Sequence, residues 1–376
     1  MLPERPDRLS AGLPQPDLMN IVTATRKYEA WLARQLPLLR TDLEFKHEQM
    51  GADRFAFFRA TFYRWAQLWP AVCPELARAP RLLAVGDLHV ENFGTWRDGE
   101  GRLAWGINDF DETYPMSYAV DLVRLAASAY IALAGAHLGL ERQKASATIL
   151  DGYVQGLKKG GEPIVLGEHH HWLRELAMSQ LRDPQRFWAK LTALPTYRGP
   201  VPPGATKALE RALPEPQLAY RVVHRLAGLG SLGRQRFTAL ADWRGGKVAR
   251  EAKALAASAM VWSHGDSGSR RIRYEVILRR AVRCPDPFLH CRGRWIVRRL
   301  APDCCRVELA ELPEKHDAAR LLWEMAWETA NIHLASRKRI KDVRHHLSRQ
   351  PQNWLHQAAA AMTQAVTRDW EEWRSR

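Results

Sequence analysis

A carboxylate and an amide stand at a spacing that suits phosphoryl transfer. In Val85-Gly-Asp-Leu-His-Val-Glu-Asn-Phe-Gly94, Asp87 and Asn92 lie on one short loop after an apolar run. Phosphoryl transfer to a hydroxyl needs a carboxylate that accepts or orients the hydroxyl proton, and an oxygen ligand nearby for a cation bridging the phosphates. Asp87 suits the first role and Asn92 the second. His89, between them, can orient Asp87 or simply fill the loop. The same residues without chemistry would make a Gly-Asp turn with Asn92 capping a bend. A second motif follows. Ile107-Asn-Asp-Phe-Asp-Glu112 gathers Asp109, Asp111 and Glu112 at the end of an apolar run. Carboxylates there are costly to bury unless paired or bound to a cation. Hard oxygen ligands suit the Mg2+ carried by nucleotide phosphates, so Asn92, Asp109 and Asp111 are the expected metal ligands. The plain alternative is a solvated acidic turn.

The third element is Gly228-Leu-Gly-Ser-Leu-Gly233. A dinucleotide-binding reading requires a helix after the last glycine, whereas Arg234-Gln-Arg-Phe-Thr-Ala-Leu-Ala241 reads as a strand. A glycine loop between two strands is the kinase arrangement, where the loop covers the triphosphate. Gly228, Gly230, Ser231 and Gly233 are therefore candidate nucleotide contacts. In the next strand, Arg250 and Lys253 compete as the cation for the α- and β-phosphates, and the sequence leaves the choice open. Glu275, on the following helix, is a candidate partner for that cation, with a solvated helix face as the alternative.

These groups need elements to hold them. From Ile21 to Trp69 the pattern is helical, with Tyr28, Trp31, Leu32 and Leu36 at amphipathic spacing and a second, aromatic-rich run from Phe55. Arg81–Val85 and Leu103–Ile107 read as strands, with a hairpin-like turn at Arg97–Arg102 between them. Residues 117–136 form a largely apolar, hence buried, helix, followed by helices over 141–158 and 169–192. The Pro- and Gly-rich stretch 193–217 reads as a linker. Strands are expected at 220–227, 234–243, 247–252, 288–291 and 294–300, with a helix around 271–283, and helices return from Asp317. The expected layout is a loose leader (1–18), a helical lobe with the catalytic loop (19–192), the linker (193–217), a small strand-rich nucleotide lobe (218–310) and C-terminal helices packing on the helical lobe (311–376).

The stretches Val85–Gly94 and Ile107–Glu112, with Asp121-Leu-Val-Arg-Leu-Ala-Ala-Ser128, resemble bacterial domain-of-unknown-function family 2252. So do Phe55-Ala-Phe-Phe-Arg59, Gly228–Gly233, Arg250-Glu-Ala252 and Asn331-Ile-His-Leu-Ala335, so the resemblance spans roughly residues 45–340. The Asp87/Asn92/Asp109/Asp121 pattern is also similar to aminoglycoside and choline phosphotransferases, whose loop reads His-Gly-Asp-x-His-x-x-Asn. The resemblance implies an α+β, protein-kinase-like two-lobe fold, with Asp87 as catalytic base, Asn92 and Asp109 as metal ligands, and Asp121 as a buried brace for the loop. Two departures stand out. The glycine loop and cation strand follow the catalytic loop, which implies a circularly permuted chain, and Val85 replaces the first His of the phosphotransferase loop.

Composition sets outer limits. The 376 residues are 46% hydrophobic and 26% charged, ordinary for a globular chain of two lobes, and the net charge of +15 favours anionic partners. Five Cys show no metal-site spacing, and no signal segment or membrane span is evident, so reduced thiols and a cytoplasmic location are expected. Adjacent residues on a helix face different ways, which argues against a metal site at His169–His171. The basic runs Arg270–Arg273 and Arg337–Lys341 read as solvated faces. The expected function is an ATP- and Mg2+-dependent phosphotransferase acting on a small-molecule hydroxyl. The alternatives are a kinase-like nucleotidyltransferase or nucleotide-binding pseudoenzyme, and a basic nucleic-acid-binding protein whose acidic motifs are structural.

Overall fold

Aromatic and aliphatic residues at helical spacing build the first part of the chain. The computed structural model describes residues 19–134, 140–167, 170–179, 181–265, 271–306 and 315–376; the leader 1–18 and His169 lie outside them. The chain opens with α1 (Ile21–Ala33), capped by the Asn20 side chain, then α2 (Arg40–Ala52), α3 (Arg54–Ala60), α4 (Phe62–Val72) and α5 (Pro74–Ala77). Phe57, Phe58, Trp65 and Trp69 are buried, which accounts for the aromatic density of this run.

Next come β1 (Arg81–Ala84), β2 (Phe93–Arg97), β3 (Leu103–Ile107), β4 (Tyr114–Ser117), α6 (Ala119–Ala134), α7 (Arg142–Lys159) and β5 (Ile164–Val165). The turn at 97–102 does close a hairpin, but its first arm is β2, which the sequence reading passed over. β1 pairs instead with β4, antiparallel, from Arg81 opposite Ser117 to Ala84 opposite Tyr114. This pairing brings the loops after β1 and after β3 to one side. α6 is buried on every face, as its apolar composition requires.

After α8 (His171–Ser179) and α9 (Pro184–Thr192), the stretch read as a linker contains α10 (Pro203–Glu210). Its Ala205 and Leu209 are buried and it packs on the sheet that follows, so part of this segment belongs to the strand-rich unit. Pro203 causes no break because a first-turn proline lacks only an N–H that would be unpaired anyway.

The sheet has five antiparallel strands in the order β6 (Arg221–Val223), β7 (Arg236–Trp243), β8 (Gly246–Ala254), β10 (Trp295–Leu300), β9 (His290–Arg292). α11 (Ala259–Ser263) and α12 (Tyr274–Arg280) lie between β8 and β9 in sequence, and α13 (Lys315–His333), α14 (Ile340–Ser348) and α15 (Trp354–Arg374) complete the chain. The architecture is mixed α+β. One apolar core joins the helices to the sheet, with Phe237, Ala252 and Ile296 of the strands continuous with Leu125, Tyr153 and Leu322 of the helices. Among the described residues, no helix is long and apolar enough to cross a membrane.

Candidate functional site

α6 organises the first loop through three polar residues on an otherwise apolar helix. Asp121, Arg124 and Ser128 share one face by helical spacing. Asp121 accepts from the backbone N–H groups of Val85 and Gly86, both at 2.8 Å, and from Nε2 of the fully buried His333 at 2.9 Å. Arg124 donates from Nε to Oδ1 of Asp87 at 2.9 Å and from Nη2 to the Phe58 carbonyl at the same distance. Ser128 accepts from the Val90 N–H at 3.1 Å. The guanidinium of Arg124 is stacked among Phe58, Trp65 and Phe62, 4.1, 4.9 and 5.1 Å from their ring centres. A buried cation with three ring faces and one carboxylate is satisfied without water.

Asp87 therefore sits at a fixed point. Burial raises its carboxyl above the usual range, opposed by the charge of Arg124. A base whose affinity for a proton is raised suits proton transfer near neutral pH. His89 is buried, and its Nδ1 has no hydrogen-bond partner. Burial and the charges of Arg59 and Arg124 hold the ring well below its usual pKa, so it is neutral. Asn92 donates from its amide to the carbonyls of Asp87 (3.2 Å) and Asp109 (3.1 Å), tying the two loops together. The amide oxygen is the atom left for a ligand.

The sheet supplies the opposite wall. Lys253, 2% exposed at the end of β8, donates to Asp111 at 2.7 Å and to Asp109 at 3.2 Å. Arg234, just before β7, donates to Asp111 and Glu112, each at 3.2 Å. Burial pushes the Asp109 carboxyl up but Lys253 and Arg298 outweigh it, so Asp109 stays ionised well below the usual range. Burial and the neighbouring charge of Asp109 raise Asp111. One Asp111 oxygen is buried without a partner. The side chain of Asp109 remains 37% exposed, and it lines a cavity of about 380 Å³ together with Asp87, His89, Asn92, Gly230 and Lys253.

The glycine loop closes over Asp87. Gly228 and Gly233 adopt φ of 70° and 90°, conformations open to glycine and not to branched residues. Gly230 has no such φ; it is there for closeness. A Cβ on it would lie 3.1 Å from the Arg59 carbonyl and 3.3 Å from Oδ2 of Asp87. Ser231 accepts from Arg236 at 2.9 Å and donates to the Gly228 carbonyl, so its hydroxyl braces the loop.

The chain matches the family described as "Uncharacterized protein conserved in bacteria (DUF2252)" over residues 38–186 and 189–376. It belongs to that family. No curated protein and no solved structure matches it.

Three sequence candidates fall elsewhere in this family member: Gly233, which packs against Leu43 and does not line the cavity, Arg250 and Glu275. Arg250 lies three residues from Lys253 on one strand, so the two point to opposite faces. Arg250 donates to the Ala212 carbonyl at 2.7 Å and covers the Phe288 ring, away from the cavity. Lys253 is the cation at the carboxylates. Glu275 is 51% exposed and pairs with Arg279 one turn on, so it does not reach Lys253; α12 turns that position outward. Its place is partly taken by Asp111, from the other wall. Sequence reasoning did not single out Arg124, Ser128 or Arg234. The signal for the first two was present: isolated polar residues in an apolar helix at a common face. Arg234 had no such signal.

Proposed function

We propose that this family member is a kinase-like, ATP-dependent phosphotransferase acting on a hydroxyl of a small molecule, with the nucleotide-binding sheet following the catalytic loop in the chain. One observation carries the reading: Asp87 and Asn92, Asp109 and Asp111, Gly230 and Lys253, from four separate segments, line a single cavity. A structural turn would not need all of them in one place. Their order in sequence supports a permuted arrangement of the kinase type, since Asp87 precedes Gly230 and Lys253.

Asp87, fixed by Arg124, takes the proton of the acceptor hydroxyl. Lys253 binds phosphate oxygens of the nucleotide, and backbone N–H groups of the glycine loop cover them. His89, neutral and buried in the same loop, adds no further positive charge beside Asp87. The residues also fit Mg2+. Asp109 is ionised and partly exposed to the cavity, Asp111 has an unpartnered buried oxygen, and Asn92 has a spare amide oxygen. Mg2+ carried on substrate phosphates needs only one or two protein carboxylates; among the described residues no group of three His, Cys, Asp or Glu side chains could hold a metal ion. When bound, Mg2+ would neutralise charge on the phosphates.

The test is thermal stability of the full chain with a panel of nucleotides, with and without Mg2+. A ligand at 100 times its dissociation constant stabilises the folded state by about 2.7 kcal/mol. ATP with Mg2+ is expected to raise the melting temperature, and ADP to appear on incubation with an acceptor. Release of pyrophosphate, with AMP joined to the acceptor, would assign nucleotidyl transfer instead. No stabilisation by any nucleotide at millimolar concentration would count against the reading.

A further inference from the structure

One arginine on the cavity face of the sheet is left without the partner its position offers. Arg298 of β10 stands opposite Glu251 of β8 in the strand register. Residues opposite one another in an antiparallel pair share a face and meet, so an ion pair between them is expected. Glu251 turns elsewhere: Oε1 accepts from Arg236 at 2.5 Å and Oε2 from Arg225 at 3.1 Å. Arg298 is left with two neutral oxygens at the outer limit of hydrogen bonding, the Asn108 carbonyl at 3.5 Å and the Tyr274 hydroxyl at 3.4 Å. Its Nε is buried with no partner at all. Among the described residues it forms no ion pair, whereas Lys253, Arg234 and Arg236 on the same wall each hold a carboxylate.

The charge nevertheless persists. Burial works against it, but Tyr274, Asp109 and Glu251 outweigh burial and hold the guanidinium above its ordinary pKa. A partly buried cation lining a cavity, short of hydrogen-bond acceptors, is costly until a ligand supplies them.

We propose that Arg298 is a second phosphate-binding cation, pairing with oxygens of a nucleotide's phosphate chain beside Lys253. Lys253 lies two residues along β8 from Glu251, diagonal to Arg298 on the same face, a neighbour relation of about 7–8 Å between backbones. Two long cationic side chains so placed converge on one diphosphate. The guanidinium offers a planar fork that matches two phosphate oxygens, which the ammonium of Lys253 does not. The assignment rests on the nucleotide reading above and adds a selectivity to it: the site distinguishes nucleoside di- and triphosphates from monophosphates.

Calorimetric titration of the full chain with ATP, ADP and AMP tests this. Wild type is expected to bind ADP more tightly than AMP. Arg298→Gln is expected to lose about tenfold or more in ADP affinity, the worth of a charge-assisted hydrogen bond, with AMP affinity little changed. Wild type and Arg298→Gln binding ADP equally well would overturn the role of Arg298 while leaving the nucleotide reading in place. Wild type binding none of the three at millimolar concentration would overturn the nucleotide reading and this assignment together. If Arg298→Gln does not fold, wild type treated with an arginine-selective dicarbonyl reagent decides the matter. ADP, and not AMP, is expected to slow labelling of Arg298 as read by mass spectrometry; equal labelling with and without ADP would overturn the proposal.

Discussion

The backbone of Gly230 rests on the carboxylate of Asp87: a single added Cβ would stand 3.3 Å from Oδ2 and 3.1 Å from the carbonyl of Arg59. Two loops far apart in the chain therefore touch at the cavity, and a side chain at 230 must push them apart. Gly230→Val is expected to fold, because the loop carries little of the core, at a cost of about 1–3 kcal/mol for overpacking. Affinity for Mg-ATP should fall with it. Circular dichroism checks the fold and calorimetry the binding. A folded variant with unchanged ATP affinity would reduce the loop to a plain turn.

Asp121 is the brace beneath Asp87. Its two oxygens accept from Val85, Gly86 and His333 at 2.8 to 2.9 Å, all in the interior. Asp121→Asn keeps the shape but offers one acceptor oxygen where two are used, so a buried N–H faces another donor. The expected cost is about 1–3 kcal/mol in urea unfolding. Turnover should fall as well, since Asp87 loses its support. Stability equal to wild type would mean that the loop is held by other contacts.

Much of this site was legible from residue types, and the reason is the alternation of strands and the spacing of helices. Asp87, Asn92, Asp109 and the glycine loop announce themselves because charges and glycines at strand ends have few structural uses. The choice between Arg250 and Lys253 needed the register: both are basic, and only the pairing of β8 with β7 and β10 says which face meets the carboxylates. Glu275 stayed open between a cation partner and a solvated face because one acidic residue on a helix says nothing about the helix's rotation; the structure shows the solvated face. The strand β2 was hidden for a different reason. Phe93-Gly-Thr-Trp-Arg97 follows the loop without a turn signal, and its glycine weakens the strand pattern. The linker reading of 193–217 failed on Pro203, which opens α10 rather than breaking it.

A pH effect follows from Glu328 on α13. Its Oε1 accepts from the Ile107 N–H at 3.3 Å and its Oε2 from Asn331 at 2.9 Å, at the end of the strand that leads into the Asp109 loop. Burial pushes its carboxyl up to about 7, against the lowering effect of Arg283. The folded state then holds a proton that the unfolded chain releases near its ordinary value of about 4.3. Stability contributed by that proton is present at low pH and declines as pH rises towards about 7, where it levels off. Glu328→Gln is expected to flatten this part of the stability profile, measured by urea unfolding between about pH 5 and pH 8. A parallel profile for the two proteins would rule the group out as its source.

Lys253 neutralises two carboxylates at once. In Lys253→Met, Asp109 and Asp111 are left close together with Arg234 as the remaining partner of Asp111. Breaking a buried pair from one side costs about 3–5 kcal/mol. The exposure of Asp109 places the expected loss at or below the lower end. Lowering the pH should recover part of it, because one of the two carboxyls can then take a proton. ATP affinity should fall at every pH. Thermal melts across pH, with ATP titrations, check both statements. A loss of stability that is the same at all pH values would mean that the two carboxylates do not repel one another in the variant.

The two central carboxylates are expected to fail differently when neutralised. Asp87 acts on the acceptor proton, so Asp87→Asn should cut turnover by the roughly 10²–10⁴-fold that a lost general base brings. Its Mg-ATP affinity should stay close to wild type. The variant will also be less stable, since Arg124, 1% exposed, loses its only carboxylate partner among the described residues. The asparagine oxygen, the Phe58 carbonyl and the three rings keep that cation hydrogen-bonded and stacked, so activity is to be compared at a temperature where both proteins are folded. Asp109 is the carboxylate open to the cavity, and Asp109→Asn should weaken Mg2+-dependent ATP binding as well as turnover, because an amide holds Mg2+ less well than a carboxylate. Asp111 is the internal control. It is held by Lys253 and Arg234 and is 9% exposed, so Asp111→Asn should lower stability more than metal-dependent binding. A binding defect confined to Asp111→Asn would move the metal ligand from Asp109 to Asp111. Calorimetry with a slowly hydrolysed ATP analogue at several Mg2+ concentrations reads this out without knowledge of the acceptor. Equal, Mg2+-independent affinity in wild type and all three variants would remove the metal from the site.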